Sequence, residues 1–169
     1  MTPVPAALGG PTARFSAWRL DKTKYAPTWD QGIGAKTVGG RWSPKGLAVI
    51  YASLDPATTI LEVAVHAGFH ALDTVAHTLI EFEVTDPSKV HVVKPSDVTN
   101  PNWLRPGSIS AGQQDYGKSL IEAHPFVLVP SVISPCSWNL LVNPSLAAGM
   151  FRERRQDAFG LDGRLNPPA

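Results

Sequence analysis

The chain has 169 residues and a mass of 18.1 kDa, enough for one domain that buries about 70% of its unfolded surface without disulfide or metal staples. Hydrophobic residues make up 43% and charged residues 17%, which excludes a wholly disordered chain. Fifteen Lys+Arg against 14 Asp+Glu leave a net charge of +1, not the basic excess with which a protein neutralises phosphates, so nucleic acid is disfavoured as a direct partner. Cys136 is the one cysteine; it excludes an intramolecular disulfide and a Cys-rich zinc site, and reads as a small buried apolar residue.

The stretch Met1–Pro11 lacks a basic start and is broken by prolines, so it does not read as a signal peptide. No apolar run approaches the ~20 residues that span a bilayer. The expectation is a cytoplasmic protein with no membrane association, built as one domain over 13–165 with loose termini at 1–12 and 166–169.

Arg14–Leu20 alternates weakly and predicts a first strand, followed from Pro27 to Gly40 by a long, polar, glycine-rich loop. Leu47–Ser53 is a continuous β-branched run, which predicts a central strand buried on both faces. Asp55 then Pro56 supply an N-cap and a first-turn proline, and Gly68 a terminator, so a helix is predicted to Ala67. Ala57, Ile60, Leu61, Ala64 and Val65 should form its buried stripe, with Glu62 at the edge bordering a cleft. Thr78–Val84 alternates, with Ile80, Phe82 and Val84 on one face. Val90–Val93, Phe126–Val129 and Trp138–Val142 read as further strands, whereas Pro95 to Ser119 reads as loop with at most one helical turn. One strong helix among many short strands argues an α+β fold.

Gly32–Arg41 invites a nucleotide-loop reading, but Thr37 stands where the dinucleotide fingerprint needs a third glycine, and Gly40-Arg41 stands where a P-loop needs Lys-Ser/Thr. What is left is a backbone with amides free to meet an anion and Arg41 beside it, or a turn whose arginine pairs with a surface carboxylate. Glu62, His66 and His70 follow at intervals of four, a metal-like stack on an unbroken helix; Gly68 breaks the stack, and no metal is expected. Ser131 in Val-Pro-Ser lacks the elbow of a hydrolase nucleophile and suits a hydrogen-bonding hydroxyl.

The sharpest set is Arg41, Tyr51 and Glu62, spaced by 10 and 11 residues. A guanidinium for phosphate, an aromatic ring for stacking and a carboxylate for a developing cation are what cleavage of a nucleotide's glycosidic bond requires. The bland alternatives are a surface ion pair, a core aromatic with a satisfied hydroxyl and a solvated helix residue.

The motifs Trp18-Arg-Leu20, Gly39-Gly-Arg-Trp-Ser43, Val49-Ile-Tyr-Ala-Ser53, Thr59-Ile-Leu-Glu-Val63 with His66, Val129-Pro-Ser131, Trp138–Pro144 and Phe159–Leu165 run through nearly the whole chain in order. Together they resemble the RES-domain toxins of bacterial RES–Xre toxin–antitoxin systems. The resemblance implies a compact single α+β domain with a central, mostly antiparallel β core, similar to ADP-ribosyltransferase toxins. It implies Arg41, Tyr51, Glu62 and Ser131 as active-site positions, with Gly40, Trp42 and Asn139 as further substrate-binding positions. The implied substrate is NAD+, split at its nicotinamide–ribose bond with ADP-ribose passing to phosphate, water or a protein acceptor, without a metal. The implied partner is an Xre-type helix-turn-helix antitoxin that covers the site, with DNA bound only through it, in a homodimer or hetero-oligomer. Arg152–Arg155 would be a solvated face or an antitoxin contact.

Between about residues 105 and 125 the sequence departs from the family pattern. Gln113-Gln-Asp-Tyr-Gly117 stands near an expected Gly-Asp-x-Trp segment, Ser43 replaces a common asparagine, and Pro144-Ser145 replaces Pro-His. Two other readings stay open. One is a nucleotide-binding or interaction module without turnover. The other is an RNA-cleaving toxin, disfavoured by the near-neutral charge.

Overall fold

The computed structural model describes residues 15–98, 100–107 and 109–167. The expectation for 1–12 therefore lies outside the described residues, as does that for 168–169. Seven strands form one sheet in the order β4-β5-β6-β2-β1-β3-β7. They are β1 (Phe15–Lys22), β2 (Ile50–Ser53), β3 (His77–Val84), β4 (Val90–Val92), β5 (Phe126–Pro130), β6 (Trp138–Val142) and β7 (Phe151–Phe159). Only β4 and β5 run parallel; the other pairs are antiparallel. Among the described residues four α-helices, α1 (Ile33–Val38), α2 (Pro56–Ala67), α3 (Phe69–Thr74) and α4 (Ala111–Ala123), complete the expected α+β fold.

β2 is the middle strand of the seven, as its unbroken apolar run predicts. It starts at Ile50 rather than Leu47 because its partner β6 ends opposite it: Ile50 faces Val142, and the next residue, Asn143, gives its amide to Pro125. Alternation in β3 is as read, with Ile80, Phe82 and Val84 buried in a core shared with Phe15, Ile50, Phe126, Leu128 and Leu140. The opposite face carries a second core of Trp42, Trp103, Ile121, Val127, Val129 and Leu141, partly covered by Tyr51.

Two stretches depart from expectation. The supposed loop from Pro27 to Gly40 holds the end of a 3-10 segment, Thr23–Gln31, and then α1. Trp29 drives this ordering: its ring centroid lies 5.0 Å from Phe82 and 5.8 Å from Phe151, and its indole N–H donates to Glu153 at 2.9 Å. The supposed loop from Pro95 to Ser119 gives way to α4, which runs on to Ala123 and which Ser110 caps by accepting the Gln113 amide. Its buried stripe is Gln113, Gly117 and Ile121, at helical spacing but with a single apolar member, so no hydrophobic period is visible. The Arg152–Arg155 cluster, read as a solvated face or an antitoxin contact, is exposed and lies on the edge strand β7, where Arg152 and Arg155 reach Glu83 and Glu81 on β3.

α2 has the predicted ends, with Asp55 accepting both the Thr58 amide and hydroxyl and the helix closing at Gly68. Its inward face is rotated from the predicted stripe. Thr58, Thr59 and Ala64 are buried, while Ala57 is exposed and Leu61 and Val65 are 39% and 62% exposed. Thr59 anchors this rotation by donating to the Trp18 carbonyl of β1 at 3.0 Å. Cys136, expected in the core, is exposed; it sits in the Ser134–Ser137 turn that joins β5 to β6. No helix among the described residues is long and apolar enough to cross a membrane.

Candidate active site

β1 and β2 share a single residue pair, Trp18 with Ser53. Beyond it the two strands separate, and a cavity of about 810 Å³ is lined there by residues of both, of α2, of the 39–42 turn, and by Pro106, Gly107 and Ile109. Arg41, Tyr51 and Glu62 all line this one cavity, together with Gly40, Trp42 and Asn139. Strand, turn and helix thus bring the sequence-predicted set together.

Glu62 projects from the second turn of α2 toward the ends of β5 and β6. Its Oε1 accepts the Ser131 hydroxyl at 2.8 Å and a short hydrogen bond from Asn139 Nδ2. Asn139 is oriented in turn by Ser53, whose hydroxyl donates to Asn139 Oδ1 at 2.8 Å. The carboxylate is therefore fixed through one oxygen, by neutral donors that leave its charge uncancelled. Ser131 is 1% exposed and is turned to Glu62, and its oxygen also accepts the amides of Ile133 and Ser134.

Tyr51 stands on the central strand with its hydroxyl under the Arg41 turn. The Trp42 amide donates to Tyr51 Oη at 3.1 Å, and the Ser43 hydroxyl shares a hydrogen bond with it at 2.9 Å. Burial pushes the phenol above its ordinary value, opposed by those two hydrogen bonds and by the charge of Arg41. Gly40 lies against the phenol so closely that a Cβ would stand 2.5 Å from Tyr51 Oη, so the backbone reaches the ring only as glycine. Trp42 turns its indole inward, 2% exposed and edge-on to Trp103 at 5.5 Å.

Arg41 spans the mouth beside this turn. Its guanidinium makes two long contacts, both 3.4 Å, to the carbonyls of Arg105 and Gly107. Among the described residues it pairs with no carboxylate, which leaves a positive group at the cavity able to take an anion through two parallel hydrogen bonds.

Arg19 is a cavity residue that reasoning from residue types and spacing missed. Its guanidinium donates to Asp21 Oδ2 at 2.7 Å and to the Tyr51 carbonyl at 3.0 Å, bridging the gap where the β1–β2 ladder has opened. Nothing in a short alternating run signals that a ladder will split, so the sequence held no cue for it. His66 lines the cavity, but α2 ends at Gly68, whose φ of 80° sends His70 onto α3. Among the described residues no cluster of three or more His, Cys, Asp or Glu could hold a metal ion.

The fold is similar to that of the toxin–antitoxin complex MbcT–MbcA of M. tuberculosis, with a TM-score of 0.70, 21% identity, and coverage of 87% of this chain and 85% of that one. The Prs ADP-ribosylating toxin of Sphingobium sp. is 37% identical over 141 residues, 77% of this chain and 83% of the relative. Toxin Res of Yersinia enterocolitica is 35% identical over 134 residues, 75% and 82% of the two chains, and Toxin Res of Photorhabdus laumondii is 30% identical over 154 residues, 88% and 95%. Residues 16–165 match the RES domain, and with relatives of this identity spanning most of its length the chain belongs to the RES-domain family.

Proposed function

We propose that this chain is the toxin of a toxin–antitoxin pair and that it splits the nicotinamide–ribose bond of NAD+. The observation that carries the reading is the Glu62 carboxylate, held through one oxygen by Ser131 and Asn139 and facing the same cavity as Arg41. Arg41 and the adjoining turn bind the pyrophosphate, and the ring of Tyr51 supports the bound dinucleotide from the central strand. Nicotinamide leaves as a neutral molecule with the bonding electron pair, so positive charge builds on the ribose ring. Glu62, fixed before substrate arrives, stabilises that charge without having to reorganise. Ser131 and Asn139 act on the substrate through the carboxylate that they orient.

ADP-ribose then passes to an acceptor. Water or phosphate suits a cavity open at its mouth; a protein acceptor is supported by the Sphingobium relative, named as an ADP-ribosylating toxin. The restraining partner is an antitoxin, supported by the toxin–antitoxin complex that shares the fold; its Xre type rests on the motif resemblance alone.

The test is nicotinamide release by the purified chain, with products identified by mass with and without phosphate. Glu62→Gln should lower the rate by at least ~10²-fold, the scale of losing one preorganised electrostatic group. An unchanged rate removes Glu62 from the chemistry. Labelled NAD+ in a lysate separates the acceptors, because label on one protein band means transfer and label confined to small molecules means consumption.

A further inference from the structure

The segment of the sequence that departs from the family pattern packs against the Arg41 turn. From α4, Gln114 Nε2 donates to the Gly40 carbonyl at 2.8 Å and to the Ser43 carbonyl at 3.3 Å. These two carbonyls flank Arg41 and Trp42, and a bridge between Gly40 and Ser43, with the Gly40 amide donating to the Ser43 carbonyl at 2.8 Å, closes the turn. One turn of α4 further on, Gly117 lies against the Trp42 carbonyl, where a Cβ would come within 2.1 Å. Gln113 ties the start of the helix to the loop by donating to the Trp103 carbonyl at 3.0 Å. On the other side, Tyr51 holds the Trp42 amide. The turn is gripped between the phenol below and one glutamine amide above.

We infer that Gln114 is a positioning residue for Arg41, setting how tightly the chain holds the pyrophosphate of its substrate while leaving the bond-breaking step to Glu62. Both acceptors of Gln114 are backbone carbonyls, so the interaction constrains the direction of the turn rather than the charge of any side chain. Among the described residues the Arg41 guanidinium makes two long hydrogen bonds of its own; its direction therefore depends on the backbone that carries it. An amide at this place donates two protons where a carboxylate donates none. The inference rests on the NAD+ reading, and the experiment separates the two.

Gln114→Met removes the donor and keeps the bulk, and Gln114→Glu keeps the length and sets an acceptor against two carbonyls. The expected result is a KM for NAD+ raised about 5- to 10-fold in both variants, the loss of a hydrogen bond, with kcat within about twofold. Hydrogen exchange of the purified chains should show faster exchange in the peptide covering 40–43 and unchanged exchange in β5. An unaltered KM in both variants overturns the inference, and so does a joint fall of kcat and melting temperature, which marks general loss of structure. If the unmutated chain releases no nicotinamide, the functional reading fails and exchange at 40–43 decides alone: no change there overturns the clamp.

Discussion

The Ser131 hydroxyl donates to Glu62 Oε1 at 2.8 Å, joining residues 69 positions apart in the chain. The bond links the tip of β5 to the middle of α2, so the orientation of the carboxylate depends on how the helix seats against the sheet. Ser131→Ala should lower nicotinamide release by about tenfold through a less ordered Glu62. It should also cost about 1–2 kcal/mol of stability, because the Ile133 and Ser134 amides lose their acceptor. Steady-state kinetics and a thermal melt check both, and an unmutated rate would show that Asn139 alone suffices.

Two glycines in one helix should behave oppositely. In α4, a Cβ at Gly117 would meet the Trp42 carbonyl at 2.1 Å, whereas one at Gly112 meets nothing within 4 Å. Gly117→Ala should destabilise by about 1–3 kcal/mol, since the helix must back away from the Arg41 turn. Gly112→Ala should stabilise by about 0.5–1 kcal/mol through helix propensity. Equal melting temperatures for the two variants would contradict this packing.

The rings of His91 and His124 stack at 4.2 Å and 7° beside the β4–β5 edge. Burial, and then the charge of His124, hold His91 below its ordinary 6.5, with Asp97 pulling the other way. A histidine that binds its proton more weakly when folded contributes stability that is present above that ordinary value and is lost as pH falls through the lowered one. Melting temperature should therefore drop as pH falls below about 6.5. His124→Gln removes the neighbouring charge and should make that drop shallower; parallel curves for the two proteins would rule out the coupling.

Where polarity and local geometry agree, the sequence was a sufficient guide. Asp55, Pro56 and Gly68 bound α2 because capping is satisfied within a few residues, and β3 alternates because one face packs on the core and the other does not. α4 escaped notice because its inward face is a glutamine, a glycine and an isoleucine, chosen by what lies opposite rather than by hydrophobicity. The inward face of α2 was misjudged for a related reason: Thr58 and Thr59 are buried with their hydroxyls satisfied by Asp55 and Trp18, while Leu61 and Val65 are left outside.

By itself the sequence determined which chemical groups this protein has to work with, a guanidinium, a phenol and a carboxylate set on a turn, a strand and a helix, since residue type and local periodicity are properties of the chain. Only the tertiary structure decided that they share a cavity, that Ser131 and Asn139 serve the carboxylate, that Arg19 fills the opened ladder, and that Gln114 grips the Arg41 turn. Each of these is a contact between segments far apart in the chain, set by the packing of α2 on β1 and β2 and of α4 on β5, and no local pattern encodes such a meeting.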